Sequence, residues 1–297
     1  MALRRERVAT LDGDFVDLDW TDPPAPGSSA PILLVLHGLE GSARSHYMGG
    51  LLHGARRRGW RGVALNFRSC SGEPNRLPRF YHSGDTGDLD EVIALLAARH
   101  AGTPLGAVGV SLGGNVLLKW LGETGTAAPL RAAAAISVPF DLAACARVLD
   151  RGWPRLLYTS NFMRSLRAKV REKAKAYPGF VEVSAALRAR TFAEYDEIVT
   201  APLGGFASAR DYWTRSSSGP YLARIRHPTL VINARDDPFV PRGTLPDPAA
   251  LPPNVTVDFP ARGGHAAFID GPWPWRAGSW AERRALEFIA SGIAGPA

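Results

Sequence analysis

A chain of 297 residues with 45% hydrophobic and 21% charged residues has a globular composition, which excludes an intrinsically disordered protein. Its 31 Gly and 24 Pro follow no fixed period, so collagen-like and low-complexity classes are excluded too. The formal charge is +7, but only four of the 35 basic residues are Lys and the Arg are scattered, which argues against a nucleic-acid partner. At about 150 residues per domain the length suggests roughly two domains, although single α/β domains also run this long.

Cys70 and Cys145 are the two cysteines, too few for a disulfide framework. The start has positive charge without a following apolar segment, so no secretion signal is expected. The longest apolar runs fall far below the about 20 residues of a membrane-spanning helix. A soluble cytoplasmic protein is the expectation.

In chain order, residues 7–11 and Phe15–Trp20 flank Asp12-Gly13 and predict a β-hairpin. A Pro/Ser/Gly loop follows at 21–31. Ile32–Leu36 is continuously apolar and predicts a strand buried on both faces. A helix is predicted over 45–58, a strand over 62–66, and a long polar loop over 68–84. Asp85 is read as the N-cap of a helix over 86–99. Leu105–Val110 predicts a strand, 112–122 a helix and 132–138 a strand. From 140 to about 222 the segments are helix-like, basic and aromatic, with no clear strand. Strands resume at 229–234 and 255–259, and a helix is predicted over 277–289. This alternation predicts an α/β fold with a mostly parallel sheet covered on both faces. It makes residues 1–297 one domain, with 141–222 a helical cap inserted into it.

The chemistry centres on Gly109-Val110-Ser111-Leu112-Gly113, a G-x-S-x-G pattern. Alone the pattern is weak, but here it lies between an apolar strand and a helix, as a nucleophile elbow requires. The turn would lift the Ser111 hydroxyl to a helix N-terminus, where the dipole favours developing negative charge. A serine needs a base, and an elbow of this kind takes its partners in the order Ser, Asp/Glu, His. Of seven histidines only His227 and His265 follow Ser111, and His227 precedes the strand whose end should carry the acid. That leaves His265, flanked by Gly263 and Gly264. The acid follows the 229–234 strand, where Asp236 and Asp237 both qualify, the spare one being expected to cap a turn before Pro238. An oxyanion hole would use the backbone N–H groups of Leu112 and of Leu39 in the loop after Ile32–Leu36.

Residues 37–42 (HGLEGS), 66–84 (NFRSCSGEPNRLPRFYHSG), 109–122 (GVSLGGNVLLKWLG), 137–142 (SVPFDL), 190–192 (RTF), 200–206 (TAPLGGF) and 233–239 (NARDDPF), with Gly263-Gly264-His265, together resemble the YheT-like branch of the α/β-hydrolases. The resemblance runs from about residue 31 to 268. It implies a Ser–Asp–His charge relay, with Asp237 as the acid, and hydrolysis of carboxylic esters, lipids among them, or acyl transfer to an alcohol. One departure is Ser69, where the family pattern has Gly; a positive φ there would strain it.

The expected function is therefore cleavage of short- or medium-chain acyl esters or lipids through an acyl-enzyme on Ser111, with Asp237 and His265 completing the triad. An acyltransferase with the same triad is the alternative, and a non-catalytic binding protein a third. Dehalogenase and epoxide hydrolase chemistry would need a carboxylate at the elbow. No metal or cofactor motif is present, so none is expected. Arg68, Arg76, Tyr81 and His82 are read mainly as loop architecture, with the edge of the substrate site as the second reading, and Cys70 as structural. Arg164, Arg167, Arg171 and Lys175 recur at helical spacing and are read mainly as a solvated face, with transient contact to a membrane surface as the second reading. Trp273 and Trp275 are read mainly as loop packing and secondarily as an acyl-pocket wall. Oligomeric state is open.

Overall fold

A computed structural model describes residues 2–21, 29–270 and 278–294. Eight strands form one sheet: β1 (Arg4–Ala9), β2 (Phe15–Trp20), β3 (Ile32–Leu36), β4 (Arg61–Asn66), β5 (Leu105–Val110), β6 (Ala132–Ile136), β7 (Thr229–Ile232) and β8 (Val255–Asp258). Their spatial order is β1-β2-β4-β3-β5-β6-β7-β8. β2 pairs antiparallel with β1 and β4, and all later pairs are parallel, with Leu36 opposite both Leu65 and Gly109.

Parallel strands need crossovers, and helices supply them. α1 (His46–Arg57) joins β3 to β4, α2 (Gly87–Arg99) leads into β5, and α3 (Leu112–Thr124) joins β5 to β6. Both faces of the sheet are buried, so the two side-chain sets of a strand go to different helices. Leu34 and Leu36 pack with Leu89, Val92, Val116 and Leu117 under α2 and α3. Leu33 and Val35 pack with Met48 and Leu51 of α1 and with Leu286 and Ile289 of the C-terminal helix Trp280–Ala294. That last helix lies very close to the sheet. A methyl at Gly106 would stand 2.7 Å from Ile289, and one at Gly292 2.5 Å from the Ala132 side chain.

Several element ends differ from the sequence expectation. The first strand lies at 4–9 and the hairpin closes at the Ala9–Phe15 pair, because Thr10 N–H and Gly13 N–H bond within a longer turn. Asp85 is not a helix cap. Its carboxylate accepts from Arg79 Nη1 at 3.0 Å, and α2 starts after Thr86 without a side-chain cap bond. Trp273 and Trp275 lie outside the described residues.

The polar loop 68–84 is held by buried charge. Arg68, 1% exposed, forks onto Asp88 at 2.7 and 2.6 Å and also reaches Asp12 and Asp14 of the hairpin turn. Asp14 in turn accepts from Asn75 Nδ2 and from the N–H groups of Arg76 and Leu77. Ser69 does adopt a positive φ of 61°, and its Oγ both donates to Asn75 Oδ1 at 2.6 Å and accepts from Asn75 N–H.

Between β6 and β7 the chain is helical. It runs through α4 (Leu142–Leu149), the long helix Ser160–Ala176 and shorter pieces at Val183–Arg188 and Ala209–Ser216, with π-helical turns at Arg155–Thr159 and Asp196–Thr200. Among the described residues no helix is long and apolar enough to cross a membrane.

Candidate active site

The sheet reverses its winding at β3: the chain goes out to β4 on one side and returns to β5 on the other. Loops leaving the carboxyl ends of β3 and β5 therefore diverge and leave a crevice. Ser111 follows β5 directly, in that crevice, with φ 53° and ψ −119°. A non-glycine residue rarely takes such a conformation, and the surrounding contacts must hold it there. They do so through close backbone approach. A methyl at Gly109 would sit 2.4 Å from the Gly113 carbonyl oxygen, and one at Gly113 2.6 Å from the carbonyls of both Leu36 and His37. The glycines of the motif thus let α3 press against β3 and β5.

His265 comes from the loop after β8. Its Nε2 lies 2.9 Å from Ser111 Oγ, and its Nδ1 lies 2.9 and 3.1 Å from the Asp237 carboxylate oxygens. Asp237 is buried and Oδ1 also accepts from Phe239 N–H at 2.8 Å. The Phe239 ring stacks on the imidazole at 4.1 Å between centroids. The structure thus brings Ser111, Asp237 and His265 together across chain separations that only the fold closes.

Asp236 does something other than the turn cap expected of it. Its Oδ1 accepts from both Gly263 N–H and Gly264 N–H at 2.9 Å, so it pins the loop that carries His265. Gly264, at φ 61°, makes the bend. A methyl at Gly263 would strike the Phe268 ring at 2.5 Å. Beyond the imidazole, Ala266 N–H donates to Ser137 Oγ at 2.9 Å.

The loop after β3 lies against the serine, since a methyl at Gly38 would be 3.1 Å from Ser111 Cβ. The N–H groups either side of Leu39 are engaged: Gly38 donates to Tyr47 Oη at 2.9 Å and Glu40 to Tyr81 Oη at 2.7 Å. Leu112 is the first residue of α3, where a helix offers its N–H no intrahelical acceptor. Leu39 and Leu112 both line the same cavity as Ser111 and His265.

Supporting residues that sequence order did not disclose surround this loop. His37 is fully buried, donates from Nδ1 to Gly38 O at 2.7 Å and accepts at Nε2 from Phe67 N–H at 3.1 Å. Burial drives its pKa down to about 4, so it is a neutral spacer. Glu40, at φ 54°, accepts from Tyr81 Oη, from Lys169 Nζ at 2.6 Å and from Ser165 Oγ. Lys169 and Ser165 belong to the helix Ser160–Ala176. The next turn of that helix adds Lys173, whose Nζ donates to the carbonyls of Asn75 and Leu77 at 2.6 and 2.7 Å. A histidine just after an apolar strand, followed by Gly, and Tyr81 in the polar loop were the sequence signals for this network.

Above the serine lies a cavity of about 330 Å³. Leu142, Leu149, Phe162, Leu166, Phe192 and Val199 give it apolar walls. Two acids also line the cavity, Glu40 and Asp196. Asp196 accepts from Thr200 Oγ1 at 2.7 Å and Trp213 Nε1 at 2.8 Å, and burial pushes its pKa up to about 7. Of the four loop residues named from sequence, Tyr81 and His82 line this cavity, whereas Arg68 is locked in the charge cluster and Arg76 bonds Gly13 O at the surface. Burial lowers the pKa of His82 to about 3. Burial also raises the thiol of Cys70 to about 11, which leaves it a poor nucleophile.

Comparison with known proteins places this geometry in a family. The model of the alpha/beta hydrolase fold matches residues 31–272. The chain is 43% identical to YheT of Escherichia coli strain K12, whose name marks it as a candidate esterase, over 90% of this chain and 78% of that one. It is 32% identical to the mouse (Mus musculus) phospholipase ABHD3, over 96% of this chain and 71% of that one. Among solved structures, the Pyrococcus furiosus esterase Pf2001 superposes with a TM-score of 0.60 at 17% identity, covering 97% of this chain and 92% of that one, a likeness of fold. With the sheet order, the serine elbow and these matches in hand, the chain belongs to the α/β-hydrolase fold family, on the branch that includes YheT.

Proposed function

We propose that this protein is a serine hydrolase that cleaves carboxylic esters with apolar acyl groups through an acyl-enzyme. One observation carries the proposal: an unbroken hydrogen-bond chain from Asp237 through His265 to Ser111 at the floor of an apolar cavity. In this mechanism His265 Nε2 takes the proton as Ser111 Oγ attacks the ester carbonyl. Asp237 holds the tautomer with the proton on Nδ1 and stabilises the imidazolium. The N–H groups of Leu39 and Leu112 face the oxygen on which charge develops, each contributing about 10²–10³ in rate in comparable sites. His265 then protonates the departing alcohol, and a water activated by the same nitrogen releases the acid. Residues 141–222 act as the cap that supplies the apolar walls. The names of the relatives, an esterase candidate and a phospholipase, agree with an ester substrate.

The test is turnover of p-nitrophenyl butyrate. Ser111→Ala is expected to lose about 10³-fold or more in kcat, and a fluorophosphonate probe is expected to label the wild-type chain and not the variant. Wild-type turnover by Ser111→Ala overturns the proposal.

A further inference from the structure

Large apolar side chains belong inside, and a cluster of them outside needs an explanation. Among the described residues, four of the six exposed large apolar side chains fall within residues 153–158. Trp153 is 75% exposed, Leu156 64% and Leu157 60%. They sit where the helical turns Gly152–Pro154 and Arg155–Thr159 run on into the helix Ser160–Ala176. The π-turn at Arg155–Thr159 widens the helix there, a distortion that recurs at functional sites.

The outer face of this stretch continues in another chemistry. Arg164, Arg171 and Lys175 are exposed further along it, and Arg147 and Arg151 just before it. Residues 143–175 carry six arginines and three lysines against two acids. Asp150 turns its carboxylate inward onto the N–H groups of Phe192 and Ala193 at 2.7 and 3.0 Å, and Glu172 pairs with Lys175 at the surface. An apolar tip with a cationic rim is the pattern of helices that lie in the headgroup layer of a bilayer, where arginine pairs with anionic lipid.

The patch also adjoins the chemistry. Tyr158, in the same π-turn, meets the Phe239 ring at 4.7 Å, and Phe239 is the ring that stacks on His265. Phe162, one turn further, lines the cavity above Ser111. A lipid entering beside Trp153 would thus travel along aromatic side chains without crossing open water.

We infer that Trp153, Leu156 and Leu157, with the arginines around them, dock the protein on an anionic phospholipid surface and hold the cavity mouth against it. Delivery of substrate to Ser111 rests on the hydrolase proposal above, whereas docking does not. The experiment separates them. The full chain carrying Ser111→Ala is floated with vesicles of phosphatidylcholine alone or mixed with phosphatidylglycerol. Expected is binding to the anionic vesicles, weakened by high salt and by Arg164→Glu with Arg171→Glu. Trp153→Ser, Leu156→Ser and Leu157→Ser together, all at exposed positions, are expected to cut the bound fraction about tenfold. With Ser111 intact, the same triple variant should keep short-chain ester turnover and lose turnover of vesicle-held ester. Equal flotation of the triple variant, or no preference for anionic vesicles, overturns the inference. So does light scattering that shows a dimer dispersed by the triple variant, since the patch then seats a second copy. Vesicle binding with no ester turnover by the wild type would instead overturn the hydrolase proposal and leave docking standing.

Discussion

At the scale of single residues, Asp236 and Asp237 show how two adjacent carboxylates divide one task. Both follow the same strand, and sequence left them equivalent until the family resemblance favoured Asp237. The backbone separates them: the chain turns after the strand, with Asp237 N–H bonded to Ala234 O at 3.3 Å, so one meets the imidazole and the other the backbone of the histidine loop. Their substitutions should differ in kind. Asp237→Asn loses the charge that stabilises the imidazolium and is expected to lower kcat about 10⁴-fold. Asp236 is needed only as an acceptor. Asp236→Asn should therefore stay near wild type, while Asp236→Ala should lose about tenfold in kcat with KM unchanged, through a misplaced imidazole. Steady-state kinetics on p-nitrophenyl butyrate reads both. Ser69 was legible in the same way: a serine where Gly is usual carried the expectation of strain, and the positive φ is there. The Asn75 bonds that compensate it were not legible, because they depend on how a loop folds back.

At the scale of elements, the parallel strands were plain from unbroken apolar runs, and Ile32–Leu36 and Leu105–Val110 have the ends expected of them, as does the antiparallel Phe15–Trp20. Helix ends were less plain, since Asp85 looks like a cap in sequence but finds a stronger partner in Arg79. The helix Ser160–Ala176 is the sharper lesson. Arg164, Arg167, Arg171 and Lys175 read as a solvated face, but Lys169 and Lys173, which that reading left aside, point the other way and are largely or fully buried. Their partners lie 129 and 98 residues earlier, beyond any local pattern. The Lys169–Glu40 pair links this helix to the loop that holds Leu39. Lys169→Met keeps the packed stem and removes the ammonium, leaving Glu40 a buried, under-paired carboxylate. A loss of about 1–3 kcal/mol in urea unfolding is expected, together with about a tenfold fall in kcat if Leu39 serves the oxyanion. Unchanged kcat with lowered stability would reduce the pair to a structural tie.

At the scale of the whole molecule, sheet order decides where chemistry can occur, and strand alternation forecast a sheet without fixing its reversal at β3. The cavity is likewise a product of assembly, with walls drawn from distant segments. One of its acids, Asp196, gives the folded state a pH signature. The unfolded side chain titrates near 3.9, whereas the folded one titrates at about 7. Between those values the folded state holds a proton the unfolded state has released, so stability falls as pH rises through that window, by at most about 1.4 kcal/mol per unit. Subtracting the denaturation curve of Asp196→Asn, which cannot titrate there, should isolate that slope; parallel curves would contradict it. Finally, the close seat of the helix Trp280–Ala294 on Gly106 and Ala132 carries a consequence for synthesis. During translation β5 and β6 emerge roughly 145 to 170 residues before the helix that covers them. One face of β5 and β6, which carries Val108, Val110 and Ile136, must wait uncovered by that helix on the ribosome, so nascent chains halted before residue 280 should engage chaperones that released chains do not.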